Sequence, residues 1–326
     1  MSDTHITVLA TGGTIAGMAG SALRHDYRPG QIGIEEFLGQ VAKLELGLAF
    51  AGKQIANIGS EDISPPVWTR LHAECEAAMA DPDCAGIIIT HGTDTVEETA
   101  FLLDLTLASA KPVVLVGAMR PADAVGYDGL RNFANAALVA SNADAAGRGV
   151  LVVMDDHVFA ARDVRKARTR GADAFRGFPR GSIALVTPAA LDWFGAPWRP
   201  GEGARFAYRE DLPEVVLLPV FAGITPDYVD RLCGEQTQGI VVAGVGEGNM
   251  PESVRHRLAE LANAGIAVVR ASRTDEGLVD REPEDTANGF VAARALSPQK
   301  SRILLQLLIA DGVCEPSAMQ EAFDRR

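Results

Sequence analysis

Short apolar runs alternate with segments of helical length along the first half of the chain. One such segment is predicted as a helix over Asp128–Ser141. Strands separated by helices of this length are typical of βαβ units, so the pattern predicts a parallel sheet covered by helices. The predicted strands are Ile6–Ala10, Gly86–Thr90, Pro112–Gly117 and Gly149–Met154.

A second helix is predicted directly after the strand that ends at Thr90. Thr95 and Glu98 have the T-x-x-E spacing of a capping box, in which both side chains bond to backbone amides at a helix start. Phe101 and Leu105 follow with helical spacing, which indicates a face turned toward the core.

The alternation breaks between Leu191 and Pro213, where tryptophan, glycine and proline interrupt any period. A chain of 326 residues is long for one hydrophobic core. We therefore predict an N-terminal α/β domain over residues 1–190, a linker over 191–213 and a smaller C-terminal α/β domain over 214–326. The elements predicted in the second domain are strands Glu214–Val220, Gly239–Ala243 and Ile266–Arg270, and helices Pro226–Cys233, Pro251–Asn263 and one from Ser301.

Composition and charge narrow the classes of function. Apolar residues make up 47% of the chain and charged residues 22%, as is usual for a globular enzyme. The net charge of −13 argues against a surface that binds nucleic acid, and no apolar run is long enough to span a membrane. The N-terminus lacks the basic region of a signal peptide, so we expect a cytoplasmic protein, or a periplasmic one if a signal peptide has been removed.

Two segments rich in threonine and glycine follow predicted strands. Thr11–Thr14 follows the strand that ends at Ala10, and His91–Thr95 follows the strand that ends at Thr90. In an open parallel sheet, ligands bind at the carboxyl ends of the strands. The two segments therefore predict a site at which a threonine hydroxyl attacks a small polar substrate.

The glycines of these segments do not form a nucleotide-binding loop. Gly12 and Gly13 are adjacent, unlike the spaced glycines of a dinucleotide fingerprint, and no Gly-Lys-Ser/Thr follows them. Histidines and acidic residues show no metal-ligand spacing, and the four cysteines are predicted to be small buried residues. We therefore predict neither a cofactor nor a metal.

Residue types alone leave the chemical roles open. Thr14 could act as the nucleophile or could cap the element that follows it. Lys166 could act as a base, but it lies in the basic run of residues 162–170, and such a run is usually a solvated face.

Motifs along nearly the whole chain resemble, in the same order, those of the bacterial-type L-asparaginases and glutaminase-asparaginases of the type II-like kind. The resemblance implies a larger N-terminal α/β domain and a smaller flavodoxin-like C-terminal domain. It also implies a homotetramer, built as a dimer of tight dimers, with active sites between subunits. The motifs are Ala10–Gly17, Asn57–Ser60, Ile89–Thr95, Gly117–Pro121, Arg162–Lys166, Ala243–Asn249, Gly289–Ala292 and Pro298–Lys300.

The resemblance assigns the nucleophile to Thr14. Tyr27 would activate it together with a carboxylate at Glu282. Tyr27 lies within residues 17–33, whose glycines and charged residues indicate an active-site lid. The chain near Glu282 is shorter than in close relatives, so Glu284 and a plain solvated acidic loop stay as alternatives.

A second catalytic group would consist of Thr93, Asp94 and Lys166. The Lys166 amine would transfer a proton at Thr93, whose backbone amide would help to stabilise the oxyanion. His91 lies in the same loop. The family mechanism uses threonines and a lysine, so the resemblance implies a structural role for this histidine.

Further polar groups would bind the substrate. By resemblance, Ser60 would bind the α-carboxylate, while Asp94 and Glu61 would face the α-ammonium group. The Ala118 carbonyl would accept the side-chain amide of the substrate. Asn249 would support the ammonium side from the C-terminal domain.

The function that follows from these assignments is hydrolysis of L-asparagine to L-aspartate and ammonia through a threonine nucleophile. Strict asparaginases commonly have glutamine where this chain has Glu61, so secondary L-glutaminase activity is also expected. The alternatives are an ammonia-releasing amidotransferase subunit and an asparagine-binding sensor. The first would carry an additional N-terminal domain, and the second would lack the catalytic threonines and lysine.

Overall fold

The computed structural model divides the chain into two compact units. The first is Met1–Glu210 and the second is Asp211–Arg326. Leu191–Trp193, inside the predicted linker 191–213, form an edge strand of the first unit's sheet. The residues that the structure describes are 4–19, 28–108, 110–198 and 203–325.

A mixed sheet forms the centre of the first unit. The strands of this unit are β1 (His5–Gly12), β2 (Phe50–Ile58), β3 (Cys84–Thr90), β4 (Val113–Val116), β5 (Val150–Met154), β6 (His157–Ala160), β7 (Val164–Lys166), β8 (Phe175–Gly177), β9 (Ala184–Val186) and β10 (Leu191–Trp193). Within the described residues, eight of them lie in the order β10-β9-β6-β5-β4-β3-β1-β2, and β7 pairs with β8 as a separate ribbon. The predicted strands of the first half are confirmed, while β2 had not been predicted.

Helices cover both faces of this sheet. They are α1 (Ile34–Val41), α2 (Pro65–Ala80), α3 (Val96–Thr106) and α4 (Gly129–Ala140). Successive side chains of a strand point to opposite faces. Ile88 therefore packs in the cluster that contains Phe133 of α4, whereas Ile87 and Ile89 pack in the cluster that contains Leu71 of α2. Because both faces are covered, such a strand is a continuous apolar run in the sequence.

β5 and β6 form a hairpin that the sequence pattern did not indicate. Asp155 and Asp156 connect them and have φ angles of 50° and 62°. A two-residue turn with positive φ at both positions joins antiparallel strands, whereas a parallel crossover needs about a dozen residues or more. The predicted parallel sheet is confirmed from β2 to β5, and the sheet is mixed because β6, β9 and β10 pair antiparallel at the other edge.

α3 follows β3 as predicted, but without the predicted capping box. Thr95 is the N-cap residue, yet its side chain makes no bond to the helix. Its hydroxyl donates instead to the carbonyl of Ser60 at 2.7 Å. The predicted capping box between Thr95 and Glu98 was wrong because a tertiary contact, which local spacing does not reveal, turns the Thr95 hydroxyl toward Ser60 and away from the first amides of the helix.

The second unit contains a parallel sheet in the spatial order in which its strands follow along the chain. Its helix predicted from Ser301 begins at Pro298, because Ser297 caps it by accepting from the Lys300 N–H. The elements are β11 (Glu214–Pro219), α5 (Pro226–Leu232), β12 (Thr237–Gly244), α6 (Glu252–Asn263), β13 (Ala267–Ser272), α7 (Pro283–Asn288), β14 (Phe290–Ala292), α8 (Pro298–Ala310) and α9 (Pro316–Asp324). The smaller α/β unit predicted for this half of the chain is confirmed.

The cysteines differ in exposure. Cys75 and Cys84 are buried, as predicted, but Cys233 is half-buried and Cys314 is exposed, so the prediction was wrong for Cys233 and Cys314. Burial raises the pKa of the Cys75 thiol, which therefore stays protonated. Among the described residues, no helix combines the length and the apolarity that crossing a membrane requires.

Candidate active site

Loops that follow the first strands contact one another at the carboxyl edge of the sheet. Gly13, after β1, has a φ of 81°, and a Cβ there would lie 2.4 Å from the Cα of Gly92. A Cβ on Gly92 would in turn lie 2.8 Å from the Oγ of Ser60. Real Cβ atoms do not approach this closely, so glycine at both positions lets the loops after β1, β2 and β3 meet.

Hydrogen bonds hold the first threonine segment on both sides. The Gly13 N–H donates to the carbonyl of Ile58 at 2.8 Å, at the end of β2. The Thr11 hydroxyl donates to the carbonyl of Thr90 at 2.9 Å, at the end of β3. The segment that the sequence singled out is therefore fastened to both strands that flank β1.

Thr14 begins a short 3-10 helix at the end of this segment. It is buried, with 5% of its surface exposed, and the Gly17 N–H closes the turn on its carbonyl at 2.9 Å. The Tyr127 hydroxyl donates to the carbonyl of Ile15 at 2.7 Å. Burial raises the pKa of this phenol, so it remains a donor at neutral pH. The turn thus holds the Thr14 side chain in a largely dehydrated position.

Lys166 contacts the second threonine. Its Nζ donates to the Thr93 hydroxyl at 2.7 Å and to the carboxylate of Asp94. The Lys166 backbone N–H donates to the Glu97 carboxylate at 3.1 Å, which fastens β7 to α3. The Lys166 side chain is 16% exposed and that of Asp94 61%, so the pair extends from a sheltered threonine toward solvent. A hydroxyl, an amine and a carboxylate in contact can pass a proton between them.

Ser60 is tied to the same loop by two hydrogen bonds. Its Oγ accepts from the Asp94 N–H at 3.0 Å, and its carbonyl accepts from the Thr95 hydroxyl at 2.7 Å. Ser60 itself is buried. Because its Oγ accepts an amide proton, its own hydroxyl proton remains for donation to an anionic group.

Glu61 is exposed and folds over its own loop. A Cβ on Gly59 would lie 2.3 Å from Oε1 of Glu61, so the carboxylate covers this glycine. Both residues flank Ser60, which begins the short 3-10 helix Ser60–Asp62. Sequence reasoning assigned Glu61 to a substrate ammonium group, and the structure places it beside Ser60 with its carboxylate turned back over Gly59.

The loop after β4 carries Ala118, which is buried. A Cβ on the preceding Gly117 would lie 2.9 Å from Cγ2 of Thr93, so this loop also reaches the second threonine. The two carboxylate oxygens of Asp128 accept from the Met119 N–H at 3.1 and 3.0 Å. Sequence reasoning missed this aspartate, although an aspartate at the first residue of a predicted helix is a signal for a role at the helix start.

His91 is fully buried in the loop after β3. Its Nδ1 lies 2.7 Å from the carbonyl of Gly92, and among the described residues its Nε2 has no hydrogen-bond partner. Burial lowers the pKa of His91 to about 4, so the imidazole is neutral at pH 7. A neutral Nδ1–H donor to Gly92 fits the structural role that was predicted.

In the second unit, Glu282 belongs to a network around Arg270. The buried guanidinium donates two bonds to Asp285 at 2.9 and 2.7 Å. Glu282 is the N-cap of α7, exchanges capping bonds with Asp285 and has Oε2 3.7 Å from the Arg270 Nη2. Glu284 is 68% exposed and lies 3.4 Å from Arg255. The structure thus distinguishes two carboxylates that the sequence left as alternatives.

Asn249 lies in a loop that the same guanidinium reaches. Val245 and Asn249 exchange backbone bonds of 2.9 and 2.7 Å after β12. Arg270 donates to the carbonyl of Glu247 at 2.6 Å and to that of Asp280 at 2.6 Å. One buried arginine therefore joins the loop of Asn249 to the loop that leads to Glu282.

Two family models match this chain over both units. The N-terminal asparaginase model matches residues 5–199, and the glutaminase/asparaginase C-terminal domain model matches residues 214–323.

The chain belongs to the asparaginase family. It is 40% identical over 329 residues to L-asparaginase 2 of Escherichia coli, a match that covers 98% of this chain and 93% of that protein. It is 35% identical to the glutaminase-asparaginase of Pseudomonas fluorescens biotype A, over 94% of this chain and 86% of that protein. The crystal structure of a probable cytoplasmic L-asparaginase from Campylobacter jejuni has a TM-score of 0.93 and 35% identity, and covers 98% of this chain and 99% of that chain.

Tyr27, which the asparaginase resemblance assigned to the lid, lies outside the described residues. The described residues that border this segment, Met18, Ala19 and Arg28, are held by hydrogen bonds. Met18 and Arg28 exchange backbone bonds of 3.2 and 3.0 Å, and the Ala19 N–H donates to the Asp123 carboxylate at 2.8 Å. The described residues on either side of Tyr27 are therefore joined to each other by backbone hydrogen bonds.

Most positions that the asparaginase resemblance assigned lie in the first unit, and two lie in the second. The second unit carries Asn249 and Glu282. Within the described residues, histidine, cysteine and acidic side chains form no group of three or more that could hold a metal ion. The assigned positions that the structure describes in the first unit are Thr14, Ser60, Glu61, Thr93, Asp94, Ala118 and Lys166.

Proposed function

We propose that this chain is an L-asparaginase, which hydrolyses L-asparagine to L-aspartate and ammonia. The observation that carries the proposal is the hydrogen bond of 2.7 Å between the Lys166 amine and the Thr93 hydroxyl, with the Asp94 carboxylate on the same amine. The buried Thr14 lies on the adjoining loop. Family models of asparaginases match both units, and relatives at 35–40% identity are named for asparagine or glutamine hydrolysis.

In the proposed mechanism, the Thr14 hydroxyl oxygen attacks the side-chain carbonyl carbon of the substrate. Its proton passes to a base, for which we propose Tyr27 together with Glu282. The oxygen of the tetrahedral intermediate then accepts a hydrogen bond from the Thr93 backbone N–H. When the C–N bond breaks, the nitrogen takes a proton and leaves as ammonia, and Thr14 stays acylated. Water then attacks the ester and releases aspartate, with Lys166 and Thr93 moving protons.

Recognition of the substrate uses the polar groups around these threonines. The Ser60 hydroxyl, which accepts from the Asp94 N–H at 3.0 Å, would donate its own proton to the α-carboxylate. The Asp94 carboxylate would bind the α-ammonium group, with Asn249 of the second unit supporting that side. The Ala118 carbonyl would accept an N–H of the side-chain amide. Charge-assisted bonds of this kind hold a substrate in one orientation.

We propose L-glutamine as a secondary substrate. If its side chain turns away from Gly59, Glu61 adds a second carboxylate for the ammonium group that L-asparagine and L-glutamine share. One extra methylene changes discrimination by only about 1–3 kcal/mol in a pocket. Replacing Glu61 by glutamine should therefore lower glutamine turnover more than asparagine turnover. An unchanged ratio of the two rates would remove Glu61 from the explanation.

The Thr14→Ala variant tests the nucleophile. Ammonia release from L-asparagine, L-glutamine and D-asparagine should be measured for wild type, Thr14→Ala and Thr14→Ser. A lost nucleophile should lower L-asparagine turnover by about three orders of magnitude or more. Thr14→Ser is the matched control, because it keeps a hydroxyl, and it should retain a measurable part of the rate. Thr14→Ala turnover above about a tenth of wild type would move the nucleophile to another residue, with Thr93 the next choice.

Assembly and location complete the proposal. We propose a homotetramer, a dimer of tight dimers, in which each site takes residues from two subunits. The reason is the family resemblance, together with the position of Asn249 and Glu282 in the second unit. We propose the cytoplasm as the compartment, with the periplasm as the alternative if a signal peptide has been removed.

A further inference from the structure

We propose that Asp128 is a positioning residue that sets the direction of the Ala118 carbonyl and thereby the preference for a carboxamide. The inference rests on the proposed function, in which this carbonyl accepts an N–H of the substrate amide. It goes beyond that function because it assigns the selection of the leaving group to a side chain that does not touch the substrate.

The geometry of one peptide group carries the argument. The Ala118 carbonyl and the Met119 N–H belong to the same peptide plane, and in a trans peptide they point in opposite directions. Both carboxylate oxygens of Asp128 accept from the Met119 N–H, at 3.1 and 3.0 Å. Holding the N–H toward Asp128 therefore turns the Ala118 carbonyl away from it.

The peptide groups on either side of the Ala118 peptide are held by the side chains of Asp128 and Asn132. Asp128 Oδ1 also accepts from the Arg120 N–H at 2.9 Å. On the other flank, the Asn132 amide donates to the carbonyl of Gly117 at 3.1 Å and to Asp128 Oδ2 at 3.1 Å. Since Asn132 is buried, its amide has few other orientations open to it. The plane of the Ala118 peptide is thus fixed from both sides.

Asp128 does not use its carboxylate to cap a helix. It is the N-cap residue of α4, where aspartate commonly accepts from the first helical amides. Its side chain makes no such bond, and both oxygens turn to the loop after β4 instead. The carboxylate therefore serves the loop that carries Ala118.

The negative charge strengthens the effect. A bond from an amide to a carboxylate is stronger than one between neutral groups, and it polarises the peptide group that donates it. The Ala118 carbonyl oxygen consequently gains negative charge. Such an oxygen attracts the N–H of a carboxamide and repels an ester oxygen or the carboxylate of the aspartate product.

The test compares two substrates in three proteins: wild type, Asp128→Asn and Asp128→Ala. One substrate is L-asparagine, and the other is the β-methyl ester of L-aspartate, which has no N–H for the Ala118 carbonyl. Asp128→Ala should lower kcat/KM for L-asparagine about 10- to 100-fold and for the ester less than about threefold. Asp128→Asn, which keeps one acceptor oxygen, should lie between wild type and Asp128→Ala. Inhibition by L-aspartate should become stronger relative to L-asparagine turnover.

Asp81→Ala is the matched control. Asp81 also accepts from a backbone N–H, that of Asp83 at 2.9 Å, but it lies just before β3 at the opposite edge of the sheet. The Asp81→Ala variant should leave the ratio of amide to ester turnover unchanged. If Asp128→Ala does not fold, the ratio measured in Asp128→Asn decides.

The outcomes separate this inference from the proposed function. A wild-type protein that releases no ammonia from L-asparagine would overturn the proposed function. The inference would be overturned if the wild type is active but Asp128→Asn and Asp128→Ala lower kcat/KM for the amide and for the ester by the same factor. A merely structural role would lower both values. A selective loss of the amide supports both.

Discussion

Lys166 differs from its basic neighbours in the group that its side chain contacts. Arg168 pairs with Asp173 on the surface, with 55% of its side chain exposed. Arg165 lies with its guanidinium carbon 5.2 Å from the centre of the Phe178 ring. The Lys166 amine donates to the Thr93 hydroxyl. We therefore expect one residue of the run to act in proton transfer.

Replacing Lys166 by methionine keeps the length of the side chain and removes the amine. Ammonia release from L-asparagine should fall by about two orders of magnitude or more, because general acid–base catalysis contributes that much. KM should change little, since the amine does not hold the substrate.

Arg168→Met, in the same basic run, is the control, and its turnover should stay within about twofold of wild type, as expected for an exposed pair. Similar losses in both variants would assign Lys166 to the solvated run.

His91 gives the protein a dependence on pH that can be measured. Burial lowers the pKa of its imidazole from 6.5 to about 4. Between these values the unfolded chain binds a proton that the folded protein excludes, so the free energy of unfolding falls as the pH drops from about 6.5 toward 4. This difference in pKa corresponds to a change in the free energy of unfolding on the order of 3 kcal/mol. Denaturant unfolding at a series of pH values measures it.

His91→Asn should flatten this pH dependence while keeping a donor for the Gly92 carbonyl. His72, whose pKa burial also lowers, leaves part of the slope in place. His256→Asn is the control, because 71% of that side chain is exposed, and it should leave the slope unchanged. An identical slope in His91→Asn and wild type would show that His91 does not titrate as described.

At the scale of elements, the contact between the loops after β1 and β3 depends on Gly13. Alanine at this position would be destabilising for two reasons. It would have to adopt a φ of 81°, and its Cβ would lie 2.4 Å from the Cα of Gly92. We expect Gly13→Ala to lower the free energy of unfolding by at least about 3 kcal/mol, since the backbone must move. Turnover should fall about 100-fold, because a shift near 1 Å between catalytic groups costs that much.

Gly47→Ala separates the two costs. Gly47 has a φ of 68°, but a Cβ there would have no atom within 4 Å. This variant should lose only the conformational term, about 1 kcal/mol, and keep full activity. Equal destabilisation in the two variants, read by denaturant unfolding, would mean that the loop contact does not require glycine.

At the scale of the whole molecule, we expect activity to depend on assembly. The net charge of −13 makes copies of the chain repel one another, and salt screens this repulsion. Sedimentation at assay concentration should therefore show a tetramer at about 0.15 M salt and some dissociation near 0.01 M, where the screening length is about fourfold longer.

Specific activity should follow the assembled fraction if two subunits build each site. The control is to return the low-salt protein to about 0.15 M salt, which should restore both the tetramer and the turnover. A monomer with full specific activity would contradict the proposed sites between subunits.

The sequence by itself determined where four buried strands of the first half lie, β1, β3, β4 and β5, and which loops are candidates to carry chemistry. The strand from Gly86 to Thr90 is apolar because both its faces are covered. The resulting run of apolar residues can be read from the segment alone. The glycines and threonines of Thr11–Thr14 and His91–Thr95 are also visible in the local sequence. Glycine is required there because a Cβ would collide with the neighbouring loop. These signals were enough to identify the asparaginase family and to propose a site in the first unit.

Only the tertiary structure decided which groups meet. Lys166 lies 73 residues from Thr93 along the chain, and nothing local distinguishes it from the arginines around it. The Thr95 hydroxyl bonds to Ser60 and does not form the predicted capping box. The Asp128 carboxylate accepts from the Met119 N–H and does not cap the helix that it precedes. In each case a polar side chain has several partners of similar strength, and the packing of distant segments selects one of them.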